Sequence, residues 1–211
     1  MGGVAALTTR NHYHFGAAGN YTRLALSAGC IGIATSAHRT SREAGESIFN
    51  TVTNSPVSVA FPTKEQPPVV LDMGCSFLAF DRSACAENPF PFFKAMGLSN
   101  IVQLLGGVFS GIYKPEFQTT DSSWESNQGS FILVVDVNHF MPLDELCQAV
   151  DQYVEEVRAM HPLPGSDGSE LAGGVEWRWE QENRRKGIPV SPEHRLALVR
   201  IATELEVASP F

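Results

Sequence analysis

With 211 residues and a mass of 23.0 kDa, the chain suffices for one substantial domain or two small ones. A compact fold of this size buries roughly 70% of its unfolded surface, so no disulfide scaffold is needed. Hydrophobic residues at 43% and charged residues at 18% exclude the low-hydrophobicity, high-charge signature of disorder. A net charge of −8 argues against a nucleic-acid partner, because affinity for phosphate backbones comes mainly from Lys and Arg. The one compact basic run, Arg184, Arg185 and Lys186, follows Glu180 and Glu182.

In chain order, Val4 to Thr9 reads as a short buried strand feeding a polar loop, His12 to Gly16. Ala17 to Ala28 reads as a helix on the stripe Tyr21, Leu24, Ala28, stopped by Gly29. Ile31 to Thr35 is a strand, and Ser36 to Asn54, rich in Ser, Thr, Arg and Glu, is a long surface loop. Val57 to Phe61 and Val69 to Asp72 are strands separated by Pro62 and Pro67-Pro68. Ser76 to Phe93 reads as irregular, with Asn88-Pro89-Phe90-Pro91 as a breaker. A helix from Phe92 follows, on Leu98, Ile101, Val102 and Leu105, with Gly106-Gly107 permitting close packing. After a polar loop from Lys114, Ser130 to Val137 is an apolar strand. Pro142 to Met160 is a helix on Leu143, Leu146, Val150, Val154 and Val157. Two more helices, Glu176 to Lys186 and one opened by Pro192-Glu193, close the chain.

This order gives an α/β class with a mixed sheet and flanking helices rather than a regular βαβ winding. The four cysteines, Cys30, Cys75, Cys85 and Cys147, lack CxxC spacing and read as buried thiols in a reducing compartment, the cytoplasm. The N-terminal stretch has no basic n-region and is interrupted at Arg10, so neither a signal peptide nor a membrane partner is expected.

Neither phosphate-cradling glycine loop is present, nor is HExxH, GxSxG or a paired Cys/His metal spacing. What carries chemistry is the histidine loop. His12 and His14 are two residues apart and project to one side of an extended segment; with no third ligand evident, no metal site is assigned. His14 stands at a strand-to-helix junction beside Phe15-Gly16, where backbone can approach a ligand and a neutral imidazole can accept a proton near pH 7.

Arg10-Asn11-His12-Tyr13-His14-Phe15-Gly16, followed by Ala18-Gly19-Asn20-Tyr21, resembles the RNSxHFGxAGxY motif of the malate, L-lactate and ureidoglycolate dehydrogenase family. That group is nicotinamide-dependent and unrelated to the Rossmann enzymes of similar name. Further similarities keep chain order: Gly32 to Thr35, Asn54 to Pro62, Val70-Leu71-Asp72-Met73 with Ser76, Lys94 to Leu98, Leu105 to Gly111, Phe140-Met141-Pro142 and Arg184 to Pro189. The resemblance implies a malate/L-sulfolactate dehydrogenase-like fold, not a Rossmann fold. It implies hydride exchange between NAD or NADP and a 2-hydroxy or 2-oxo acid, and a homodimer. It further implies that His14 is the acid/base and that Asp72 belongs to the same polar cluster. Lys94 would sit in the cofactor or anion pocket with Asn54 and Ser76, and Arg10 and His12 would contact the substrate.

The chain also departs from the family pattern. A Ser-His-Gly element before the histidine motif is missing, and the stretch between Ser76 and Lys94 is short. Phe93 and Ala95 replace the His and Gly that flank the family's lysine, and His12 replaces its Ser. The expectation is therefore one truncated dehydrogenase-type unit over residues 1–211. Its active-site core spans roughly 4–130, and a strand with C-terminal helices over 131–211 returns to the same unit. A relative that has lost activity but keeps the scaffold for dimerisation or nucleotide binding is the alternative.

Overall fold

The computed structural model describes residues 2–40, 42–51, 54–75, 82–118 and 127–211. Its strands are β1 (Val4–His12), β2 (Cys30–His38), β3 (Pro56–Phe61), β4 (Val69–Gly74) and β5 (Gln128–Asp136). Its α-helices are α1 (Gly19–Leu26), α2 (Arg82–Glu87), α3 (Pro89–Val102), α4 (Leu143–Arg158), α5 (Gly174–Lys186) and α6 (Pro192–Glu204). The chain divides into two compact units, residues 1–174 and 175–211.

The first unit holds one five-stranded sheet in the order β1-β5-β2-β3-β4. The α/β class with flanking helices is as expected. The sheet, expected to be mixed, is antiparallel at all four described pairings. Strand β5, more than a hundred residues after β1, inserts between β1 and β2.

Several boundaries move for local physical reasons. Strand β1 runs to His12 rather than Thr9 because β5 continues to pair with it, Arg10 to Gly129 and His12 to Gln128, with Asn11 bulged out between them. Helix α3 starts at Pro89, earlier than Phe92. The proline that reads as a breaker occupies the first turn, where its missing N–H has no helical partner to lose and its fixed φ suits the helix.

Which helix faces are buried also differs from the large-residue stripes. Helix α1 buries Gly19, Thr22 and Ala25 and leaves Leu24 71% exposed. Gly32 on β2 allows this: a Cβ there would sit 2.9 Å from the backbone of Thr22. Helix α3 buries Phe92, Ser99 and Val102, and Ser99 donates to Ser55 Oγ at 2.6 Å. After Val102 the helix winds into a π-helical turn, Gln103–Phe109, that buries Gly106 and Gly107. Pro89–Phe109 together form 21 helical residues, long and apolar enough by length and composition to cross a membrane, with 39% of their most apolar 18-residue stretch buried inside the fold.

Helix α4 keeps its expected stripe. Asp151 on it is buried and accepts backbone N–H groups from Lys64, Glu65 and Gln66 at 2.9–3.3 Å, fixing the β3–β4 connection. The second unit, α6 with all of α5 beyond Gly174, carries the i,i+4 pairs Glu180–Arg184, Glu182–Lys186 and Arg200–Glu204.

Candidate active site

The site is built where β1 ends and α1 begins. Asn11 has φ +56, the left-handed conformation that asparagine tolerates better than other non-glycine residues. Its Nδ2 donates to the carbonyl of Phe117. The bulge turns His12 relative to the strand, and Gly16, at φ +81, makes the turn toward α1 that a side-chain-bearing residue would resist.

Between these two points Phe15 is the anchor. Its N–H donates to Gln128 Oε1 at 3.1 Å and its carbonyl accepts from Tyr21 Oη at 2.9 Å. Its ring stacks on Tyr21 with centroids 4.3 Å apart, in a cluster with Ala18 and Ala34 that Ile132 packs against. The loop is therefore held by sheet, helix and core together.

A cleft of about 310 Å³ opens over this junction, with Thr9, Arg10, His12, Tyr13, His14, Phe15, Tyr21, Ser130 and Ile132 along its walls. Three of the residues singled out in the sequence, Arg10, His12 and His14, thus share one cavity. Thr9, Tyr21, Ser130 and Ile132 were not singled out. Tyr21 reads as a core-stripe residue, and no local signal reveals that β5 pairs with β1 and brings Ser130 against Thr9. Alternation along β5 does place Ser130 and Ile132 on one face.

The two histidines adopt opposite tautomers when neutral. His12 Nδ1 lies 2.8 Å from the carbonyl of Tyr13; a carbonyl only accepts, so Nδ1 carries the proton. Nε2 of His12 is then an acceptor, buried without a partner. His14 Nδ1 lies 3.0 Å from the Gly16 amide; an amide N–H only donates, so Nδ1 is the acceptor and Nε2 carries the proton. His14 itself is exposed. The cleft therefore offers a ring N–H donor at His14, and a proton arriving at its Nδ1 would displace the Gly16 bond.

The remaining candidates lie elsewhere on the first unit. Asp72 is exposed on β4, the edge opposite β1. Its Oδ2 lies 2.5 Å from where a Cβ of Gly19 would be, and Arg23 Nη1 lies 2.6 Å from the same point, so both crowd the start of α1. Asp72 makes no hydrogen bond to His14. Asn54 precedes β3, with Oδ1 against Gly74. Lys94 is exposed on α3, and Ser76 lies outside the described residues.

Arg10 serves the cleft and a neighbouring turn. Its guanidinium carbon sits 3.9 Å over the Phe117 ring and its Nη1 donates to the Ser110 carbonyl at 3.3 Å. The three buried cysteines offer no activated nucleophile: burial pushes the Cys75 thiol up to about 11. Cys30 and Cys147 are raised too, by burial first and then by nearby carboxylates. Among the described residues, no three His, Cys, Asp or Glu side chains converge as metal ligands.

The malate/L-lactate dehydrogenase family model matches in two stretches, residues 1–88 and 83–198. A malate dehydrogenase from Pyrococcus horikoshii is 25% identical over 226 residues, covering 89% of this chain and 62% of the relative. An L-sulfolactate dehydrogenase from Methanocaldococcus jannaschii is 24% identical, covering 96% of this chain and 67% of the relative. Among solved structures, that of malate dehydrogenase from Pyrococcus horikoshii superposes with a TM-score of 0.79 at 24% identity, covering 98% of this chain and 67% of the other. Malate dehydrogenase from Entamoeba histolytica gives 0.76 at 22%, covering 99% and 70%. The chain thus spans 62% of the length of the first of these curated relatives, and the 226-residue alignment is longer than the 211-residue chain, so the relative carries residues opposite gaps here. On the strength of the family model, which spans most of the sequence, the chain belongs to the malate/L-lactate dehydrogenase family.

Proposed function

We propose that the chain acts as an NAD- or NADP-dependent oxidoreductase interconverting a 2-hydroxy acid and its 2-oxo acid, with proton exchange at the histidine cleft. The observation that carries this reading is the meeting of Arg10, His12 and His14 on one cavity in a chain of this family. Arg10 supplies the cation for the substrate carboxylate, and its stacked guanidinium keeps in-plane N–H groups for a carboxylate fork. His14 faces, through Nε2, the oxygen that is carbonyl in one acid and hydroxyl in the other. As imidazolium it gives the Nε2 proton when the oxo acid is reduced. Left with its proton on Nδ1 in place of the Gly16 bond, it takes a proton back at Nε2 from the hydroxyl in the reverse direction.

The residues present fit an anionic dinucleotide in charge: Arg10 reaches the cleft, and Arg39 keeps a buried Nη2 without an acceptor. When bound, the nicotinamide accepts or supplies the hydride. Asp72, Asn54, Ser76 and Lys94 remain proposed site residues from the family resemblance, as do a homodimer and a cytoplasmic location. The second reading, an impaired relative that keeps scaffold or nucleotide affinity, draws on the place of Asp72 across the sheet from β1.

The test is turnover of purified chain with NADH or NADPH and a panel of 2-oxo acids. Replacing His14 by Ala is expected to lower kcat by about 10²–10⁴-fold. Equal background rates in both proteins would overturn the enzyme reading in favour of the scaffold one.

A further inference from the structure

A group of cations without ion pairs among the described residues lies beside the cleft. Four cations, Arg10, Arg39, Arg42 and Lys114, surround the turn Ser110–Phe117. Arg10 lies over the Phe117 ring, and Lys114 Nζ is 5.4 Å from the same ring. The Arg42 guanidinium carbon sits 3.7 Å over Tyr113. That ring is itself fixed, because Tyr113 Oη lies 3.1 Å from Thr40 Oγ1 and accepts from the Thr40 amide at 3.3 Å. Arg39 Nε donates to the Ile112 carbonyl at 2.9 Å, while its Nη2 has no acceptor.

None of the four has an ion pair among the described residues. Glu43 and Glu116, the nearest acids in sequence, are exposed and pair with none of them. In a chain of net charge −8, four unneutralised cations on one short turn form a local field of opposite sign to the whole. Stacking occupies only the faces of Arg10 and Arg42. Arg10 donates from Nη1 to the Ser110 carbonyl; its other edge N–H donors, and those of Arg42, stay available in a pre-held orientation, as phosphate recognition requires.

We propose that the turn Ser110–Phe117, with Arg10, Arg39, Arg42 and Lys114, is a phosphate-binding site that takes the phosphate groups of the dinucleotide. Its occupant rests on the dehydrogenase reading; its chemistry does not. Arg10, shared by the turn and the cleft, joins the two sites.

The experiment titrates the full chain with NADPH, NADH and inorganic pyrophosphate by calorimetry, beside Arg42→Met and Arg42→Lys variants whose thermal unfolding is checked. Arg42→Met is expected to weaken dinucleotide and pyrophosphate about tenfold, the loss of one charge-assisted contact, with Arg42→Lys retaining part of the affinity. Higher salt should weaken both ligands in the wild type. Pyrophosphate weakened with dinucleotide unaffected would keep a phosphate site but overturn the dinucleotide as its occupant. Unchanged affinity for every ligand in a folded Arg42→Met would overturn the site while leaving turnover, and the dehydrogenase reading, intact. Loss of pyrophosphate binding in Arg42→Met, in a chain that turns over no 2-oxo acid, would overturn the dehydrogenase reading and keep the site.

Discussion

The junction Asn11–Gly16 and the helical segment 175–211 hold themselves together in opposite ways. At the junction, the two anchoring residues are tied to partners more than a hundred positions away: Asn11 to Phe117, Phe15 to Gln128. In the second unit the ion pairs Glu180–Arg184, Glu182–Lys186 and Arg200–Glu204 are local i,i+4 contacts, and Ala202 is its one buried hydrophobic among the described residues. Contacts between distant segments position groups for chemistry; local pairs support a helix without aiming anything.

Three measurements sharpen that contrast. The largest effect is expected from Phe15→Ala, which empties a ring held by stacking and core packing. It should cost about 3–5 kcal/mol in denaturant unfolding, and a loss below about 1 kcal/mol would show that the junction is not anchored there.

A moderate effect is expected from pH through His38, at the end of β2 opposite Gln128. Burial lowers its pKa, so the folded state binds fewer protons than the unfolded state. Stability should therefore fall as pH drops below about 6.5, the ordinary histidine value, and level out below the folded pKa. His38→Gln should flatten that slope, and an unchanged slope would assign it to other groups.

The smallest effect is expected from Lys186→Ala. Lys186 holds Glu182 at 2.6 Å and, with Glu182 ionised beside it, has a raised pKa, first through the hydrogen bond and then through charge. The pair is exposed to water on α5, and such pairs are worth little. No resolvable change in Tm is expected, and a clear drop would show that the segment depends on more than its local ladder.

Much of the fold was legible because strands alternate, turns carry proline and glycine, and helix α4 keeps a 3.6-residue stripe. Reading large apolar residues as the buried face failed for α1 and α3, where Gly19, Thr22, Ala25 and Ser99 face inward. Close backbone approach, set by Gly32 and by hydroxyl pairs such as Thr22 with Ser58 at 2.7 Å, decides those faces, and hydrophobic periodicity carries no record of it. The cleft was half legible. His12 and His14 announce themselves by spacing and Arg10 by the motif, whereas Ser130 and Ile132 arrive through a pairing between distant strands. The cation group at Ser110–Phe117 was hidden for the same reason, since Arg10, Arg39 and Lys114 are far apart along the chain.

The π-helical turn at Gln103–Phe109 makes the region after it sensitive to length. Each residue of an α-helix turns the chain by about 100°, and a wider turn of this kind accommodates one residue more than an α-helical path. Deleting a single position between Gln103 and Phe109 would let the segment relax to α-helical winding and rotate everything downstream. Ser110, whose hydroxyl donates to the Gly106 and Gly107 carbonyls at 2.6 and 2.9 Å, would lose its seat, and Lys114 would swing with it. In a deletion scan this stretch should behave as a fixed-length spacer, tolerant of side-chain exchange at exposed Leu104 and Val108 but intolerant of any change in residue count.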